Sequence, residues 1–160
     1  MRDPGAWVAL ETGFKRGEGW AEARRAHLKR QPFCIACRNH DLSLWESFLR
    51  LFRSVVVHHI FPFHICRALD RGDLEYDPRN LVTLCSSHHW TLGHFSEWEC
   101  YNPYVKHLAL RFFGRPAREI MAHPEWFRFS HDRRLDLRYL TPQELAQLRA
   151  KLDEKFPPKE

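Results

Sequence analysis

Val57-His58-His59-Ile60, followed downstream by Asn80-Leu81, Leu84-Cys85 and His88-His89, is the stretch of this chain whose reading decides the fold. A β-branched run delivers two adjacent histidines. An asparagine comes next, and a second histidine pair closes the series. Successive residues of a strand point to opposite faces, so His58 and His59 are not expected to ligate one ion together. One can hold a metal while its neighbour addresses a water from another side. A histidine near its unperturbed pKa of about 6.5 is a good base at neutral pH. Seen alone, the pair favours an incidental reading, one ring buried and one solvated at a strand end. The downstream residues change that weighting.

Cys85 and His88 are separated by two residues, the same spacing as Cys34 and Cys37. Two such half-sites make a Cys3His set, which suits tetrahedral structural zinc. The metal would staple the region before the first strand to the helix after the second. His40 competes as a ligand, since Cys34-x-x-Cys37-x-x-His40 also has workable spacing. Cys66 and Cys100 are expected to be unligated, and an odd count of five cysteines without an export signal argues against a disulfide framework. His89 follows the presumed zinc ligand and is able to face the strand that carries His58. His94 lies five residues further on, about 140° around a regular helix. That geometry is poor for sharing an ion unless Gly93 distorts the helix. His94 therefore stands between metal ligand and phosphate contact, and His64 is equally open. Trp90, Phe95 and Trp98 read as core.

The flanking elements follow from periodicity and breakers. Residues 1–17 read as a loose leader. Glu18 to Arg30 reads as a helix with Trp20, Ala23, Ala26 and Leu28 on one side and Arg24, Arg25, Lys29 and Arg30 on the other, ended by Gln31-Pro32. Asp41 to Arg53 has helical periodicity through Leu44, Trp45, Phe48, Leu51 and Phe52. Ser54 to Ile60 and Leu81 to Leu84 read as strands. Residues 61–79 read as a long polar connection broken by Pro62, Gly72 and Pro78, and a connection of that length is usually functional or partly structured. A helix capped by Ser86 or Ser87 is predicted to run to about Trp98, weakened by Gly93. Tyr104 to Phe113 is a further helix. Residues 114–139 are mixed, with basic and aromatic residues interleaved. Thr141-Pro142-Gln143-Glu144 is a strong start for a last helix reaching Lys155.

At 160 residues the chain fits one domain with appendages, and eleven histidines point towards metal or proton chemistry. No apolar run of about 18 residues is present, so no membrane span is expected. Arg2 and Asp3 without an apolar h-region argue against a signal peptide, and a cytoplasmic location is expected. The net charge is +5. Residues 1–40 hold eight Lys/Arg against four Asp/Glu, residues 41–104 five against eight, and residues 105–139 eight against four. Basic segments thus flank a mildly acidic middle. A polyanionic partner fits this pattern, because neutralising phosphates releases counterions. Arg24, Arg25, Arg111, Arg115, Arg118, Arg128, Arg133, Arg134 and Arg138, with nearby Phe and Trp, form a plausible backbone-tracking surface, although for any one of them a solvated surface charge is the favoured reading.

The pattern Val-His-His-Ile-x-Pro, then Asn-Leu-x-x-Leu-Cys, then His-His resembles the HNH endonucleases of the His-Me finger superfamily, over about residues 34–104. Gly93-His94 with Trp98 and Tyr101-Asn102-Pro103 resembles a subgroup common in bacterial and phage sequences. The resemblance implies an α+β fold: a ββα-metal core with a structural zinc knuckle and flanking helices. It divides the chain into a basic N-terminal arm and helix (1–33), a nuclease core (34–104) and a basic, aromatic helical extension (105–160). It implies His59 as the general base, Asn80 as the residue whose side chain pins the loop carrying that base, and His58 and His89 as ligands of one catalytic divalent ion. Cys34, Cys37, Cys85 and His88 would hold structural zinc, with His88 where the family usually has cysteine. The products would carry 5′-phosphate and 3′-hydroxyl ends. An all-histidine catalytic site suits Mn²⁺, Ni²⁺, Co²⁺ or Zn²⁺ better than Mg²⁺, which stays open. The implied partner is DNA, in a bacterial or phage-infected cell. The alternatives are a zinc-stabilised nucleic-acid-binding module without catalysis and an RNA-directed nuclease. Sequence specificity and oligomeric state are not legible.

Overall fold

In a computed structural model of the chain, residues 16–37, 55–96, 101–123 and 141–158 are described. Helix α1 (Trp20–Arg30) leads into the Cys34/Cys37 turn, and strand β1 (Val55–His59) follows. Helix α2 (Phe63–Ala68) and two 3₁₀ turns (Gly72–Glu75 and Pro78–Asn80) carry the chain to strand β2 (Leu81–Cys85). Next come a single turn of helix α3 (Ser86–His88) and a π-helical turn (His89–Gly93), then α4 (Val105–Arg111), α5 (Ala117–Met121) and α6 (Pro142–Lys155). The class is α+β. The helix expected over 41–53 lies outside the described residues.

The two strands pair antiparallel, with His58 opposite Val82 and His59 opposite Leu81. Val57, His58, His59 and residues 81–84 are all buried, so other elements must cover both faces of this ribbon. An edge backbone group that is buried needs a partner. On the far side of β2 the Thr83 N–H donates to Gln31 Oε1 at 2.7 Å, and the Ile35 N–H donates to Thr83 O at 3.1 Å. Gln31, which ends α1, thereby acts as the missing neighbour of β2. The buried residue of α1 is His27, while Ala26 is exposed. Trp20, Ala23 and Leu28 of the expected apolar side are half-buried, and His27 hydrogen-bonds Gln31 (Nε2···Oε1 3.1 Å).

The connection over 61–79 is neither polar nor open. Phe61, Phe63, Ile65, Cys66, Leu69 and Leu74 are buried in it. Pro62 and Pro78 do not break structure but start it. Pro62 directly precedes α2, and Pro78 opens a turn whose cap, Asp77, accepts from the Arg79 N–H at 2.8 Å. Proline is pre-organised for such first-turn positions. Three charged residues are buried with it, each with its charge matched, Asp77 by Arg79 at 2.7 Å. Glu75 is fully buried and accepts from Arg67 Nε at 3.1 Å and Nη2 at 2.5 Å. Arg71 is 3 % exposed and pairs with Asp73 and Asp153, and also donates to Phe156 O at 3.0 Å.

Helix α6 starts as its sequence dictates. Thr141 Oγ1 accepts from the Glu144 N–H at 3.3 Å, and Glu144 Oε2 accepts from the Thr141 N–H at 2.8 Å. It sends Leu152 and Phe156 into the same apolar cluster as Ile60, Phe61, Ile65, Leu74, Val82 and Leu84. No helix among the described residues is long and apolar enough to cross a membrane. Because Leu152 is fully buried, Leu152→Ala is expected to cost about 2–5 kcal/mol of stability. Chemical denaturation checks this, and a midpoint equal to that of the parent would detach α6 from the core.

Candidate functional site

Two clusters of ligand-type side chains lie on either side of the junction between β2 and the following turn. In the first, Cys34, Cys37, Cys85 and His88 bring their ligand atoms within 4.8 Å of one another. His88 Nδ1 lies 3.5 Å from Cys34 Sγ, 3.5 Å from Cys37 Sγ and 3.3 Å from Cys85 Sγ, and Cys37 and Cys85 sulfurs are 3.9 Å apart. A regular tetrahedron with Zn–S of about 2.3 Å and Zn–N of about 2.0 Å has S···N edges of about 3.5 Å and S···S edges of about 3.8 Å. The cluster therefore has the dimensions of a zinc site and could hold that ion. His88 Nε2 donates to Arg115 O at 3.0 Å, which leaves Nδ1 bare to ligate, the usual outer support of a metal-binding imidazole. Hydrogen bonds from Cys34 and Cys37 lower the Cys85 thiol far below its ordinary range, and hydrogen bonds to Cys34 and Cys85 raise His88 to about 10 although burial opposes it. His40 lies outside the described residues. Cys66 is not among these residues. Its thiol is buried, with Phe61 O as its acceptor at 3.7 Å, and burial pushes its pKa up to about 12. Cys100 lies outside the described residues.

The second cluster is His58, His89 and His94, again with ligand atoms within 4.8 Å of one another. The ring centroids are 4.9 Å apart for His58 and His89, 5.1 Å for His58 and His94 and 4.7 Å for His89 and His94. The Nε2 atoms of His89 and His94 are 3.3 Å apart, within the about 3.0–3.4 Å that separates two nitrogens sharing an ion at about 2.1 Å. Nε2 of His58 is buried without a hydrogen-bond partner, a costly state that a metal ion would relieve. Burial, then the neighbouring histidines, hold the His58 pKa well below its ordinary value. Burial and His94 lower His89 to about 3. Both rings are therefore neutral, with lone pairs to offer.

His94 joins this cluster because the helix is not regular. The sequence expectation of an α-helix to about Trp98 is corrected: one α turn ends at His88 and a π turn runs to Gly93. A wider turn brings residues five apart onto one side, and π turns recur at functional sites. The local cause is side-chain competition for carbonyls. Thr91 Oγ1 donates to Ser87 O at 2.9 Å and Asn102 Nδ2 donates to Leu92 O at 2.6 Å. The expected serine caps are also absent, since α3 starts after Cys85 without a side-chain cap. Gly93 matters by its emptiness: a Cβ there would lie 3.1 Å from His58 Cε1 and 3.2 Å from its Nε2.

His59 turns the other way, as strand alternation demands. Its Nε2 is 3.0 Å from Glu75 O. A carbonyl only accepts, so Nε2 carries the proton and Nδ1 is the bare nitrogen. The ring lies against Trp20 (centroids 4.6 Å) and Phe63 (5.9 Å). Burial, and then the charge of Arg16, lower its pKa to about 3. Asn80 is fully buried and spends its amide on the backbone next to His59. Its Oδ1 accepts from the Phe61 N–H at 2.8 Å, and its Nδ2 donates to Phe61 O and Leu74 O, each at 3.0 Å. It thus locks the residues after β1 to the turn whose Glu75 carbonyl orients the imidazole. His64 stands apart from both metal-type clusters; its Nδ1 is buried without a partner, and burial lowers its pKa to about 4.

Reading the sequence missed several residues of this site. Residues 1–17 are not all leader: the Gly17 N–H donates to the Glu75 carboxylate at 2.9 Å, and the Arg16 guanidinium lies over Trp20, 4.3 Å from its centroid. The signal was the small Gly17-x-Gly19 pair, since the Tyr76 hydroxyl occupies the place a Cβ on Gly17 would take. Arg24, Arg25, Arg111, Arg115 and Arg118 are exposed. Arg115 pairs with Glu119, and Arg115 and Arg118 line a concavity with Trp90 and Met121 beside the cysteine cluster. Arg128, Arg133, Arg134, Arg138 and Trp98 lie outside the described residues.

Two outcomes test these clusters. Removing zinc with a chelator is expected to unfold the protein, because such sites contribute roughly ten or more kcal/mol; metal analysis with circular dichroism checks it, and zinc loss with an unchanged melting curve would contradict it. Gly93→Ala should weaken the affinity of the three-histidine cluster for Mn²⁺ about tenfold, a typical cost of disturbing a ligand's support, while leaving zinc content unchanged. Calorimetric titration reads this directly.

A protein-family model described as HNH endonuclease matches residues 34–96. No curated protein and no solved structure matched. The matched stretch holds both ligand clusters, β1, β2 and Asn80, so the part of the chain that carries the site is the part similar to the HNH endonuclease family.

Proposed function

We propose that the protein is a metal-dependent endonuclease that hydrolyses DNA phosphodiester bonds, built on a ββα-metal core. The observation that supports it best is the division of labour at the end of β1. His58 turns towards His89 and His94, and the next residue, His59, turns away with Nδ1 bare. In this reading His58, His89 and His94 hold one divalent ion, and Cys34, Cys37, Cys85 and His88 hold zinc. When bound, the divalent ion supplies Lewis-acid stabilisation of the phosphate charge and of the departing oxygen.

His59 is the general base. Its Nδ1 takes a proton from the attacking water, and the Glu75 carbonyl holds the imidazolium that results by accepting from Nε2–H. A buried ring beside Arg16 is a weak base in the free protein. The negative phosphodiester placed beside it favours the protonated form and raises its basicity towards the working range. Asn80 positions the base through its bonds to Phe61 and Leu74. The exposed arginines of α1 and of the 111–118 region supply sequence-independent affinity for the nucleic acid backbone.

His59→Ala is expected to leave folding, zinc content and DNA binding intact while lowering plasmid nicking by at least about 10²-fold. Nicking with Mn²⁺ at wild-type rates in that variant would remove His59 from the role. Digestion of DNA and RNA side by side separates the DNA enzyme from an RNA nuclease, and a chain that binds DNA but cuts neither would be a binding module.

A further inference from the structure

We propose that Arg16, from the segment ahead of α1 and outside the family-matched stretch, is a catalytic residue that binds a non-bridging oxygen of the scissile phosphodiester beside His59. This deepens the nuclease reading and rests on it.

The geometry begins with two rings. Trp20 and Phe63 flank His59, at 4.6 and 5.9 Å between centroids. The Arg16 guanidinium lies over the same two rings, at 4.3 Å from the Trp20 centroid and 5.0 Å from that of Phe63. Arg16 and the base therefore share one aromatic wall. Stacking engages the face of a guanidinium, whereas its N–H donors radiate in its plane, the arrangement that suits a phosphate. Arg67 also approaches Phe63, at 5.9 Å, and pairs with the Glu75 carboxylate.

The placement of Arg16 is anchored one residue away. The Gly17 N–H donates to Glu75 Oε1 at 2.9 Å, and Glu75 Oε2 accepts from Arg67. The backbone carbonyl of the same Glu75 accepts from His59. One buried residue thus fixes both the base and the backbone that presents Arg16. After burial, the charge of Arg16 is among the causes that lower the pKa of His58, His59 and His89. A cation held there, on a low-dielectric wall, would attract the phosphodiester and stabilise the extra charge of the pentavalent transition state.

The test uses the full zinc-loaded chain and two substitutions, Arg16→Met, which retains an apolar stem against the rings, and Arg16→Lys, which retains the charge. The first readout is binding, followed by NMR titration with the dinucleotide d(TpT) and with its uncharged methylphosphonate analogue. Wild type should prefer the charged ligand by about tenfold or more, Arg16→Lys should keep part of that preference, and Arg16→Met should lose it. The second readout is nicking with Mn²⁺: Arg16→Met should lower kcat by about 10²-fold, more than it changes KM, at unchanged melting temperature and metal content. An Arg16→Met chain that keeps both the preference and the turnover would overturn the proposal, as would a wild type indifferent to the charge. If wild type cuts no nucleic acid yet prefers the charged dinucleotide through Arg16, the nuclease reading fails and the phosphodiester site stands.

Discussion

Four ligand atoms around one point hold this architecture together. A two-stranded ribbon is marginal by itself in water, and β1 and β2 have no third strand beside them among the described residues. What replaces it is the Cys34–Cys37 turn, fastened to Cys85 and His88 by the dimensions of a tetrahedral ion site. The fastening extends through the backbone, since Ile35 donates to Thr83 O and Gly114 donates to Ala36 O. One cluster thereby gathers the end of α1, β2 and the turn before α5. The His88 ring carries the connection further through its bond to Arg115 O.

Glu75 organises the surroundings of His59 as the cysteine cluster organises the sheet. A fully buried carboxylate is costly unless paired, and here it is paired twice, with Arg67 and with the Gly17 N–H. Its own carbonyl is then held in place to fix the His59 tautomer. The same burial that protects this arrangement keeps His58, His59 and His89 uncharged. Neutral rings are what both ligation and proton abstraction need. The site therefore depends on exclusion of water as much as on the identities of its residues.

Much of the architecture was legible because it is written in short-range patterns. The β-branched run before His58, the paired two-residue spacings of Cys34/Cys37 and Cys85/His88 and the Thr141 capping box each depend on residues only a few positions apart, or on matched chemistry. The strand alternation that separates His58 from His59 is equally local. What was not legible arises from tertiary competition. The π turn that admits His94 depends on Thr91 and Asn102 taking carbonyls from the helix ladder, and no periodicity announces that. The burial of Glu75 and Arg71 looks, in sequence, like an ordinary polar connection, because their partners Arg67 and Asp153 become relevant only in the fold. Arg16 was hidden for a similar reason: it borders a segment rich in Gly and scattered charge, and its anchor lies at Glu75, far along the chain.

One further consequence lies in the covalent adjacency of His88 and His89. Each ring belongs to a different cluster, yet a single planar peptide unit joins them, with Cα atoms about 3.8 Å apart. The placements of the two clusters are therefore linked through one peptide unit. A displacement of His88 in the thiol-rich cluster carries the backbone of its neighbour His89, and with it one wall of the imidazole-rich cluster.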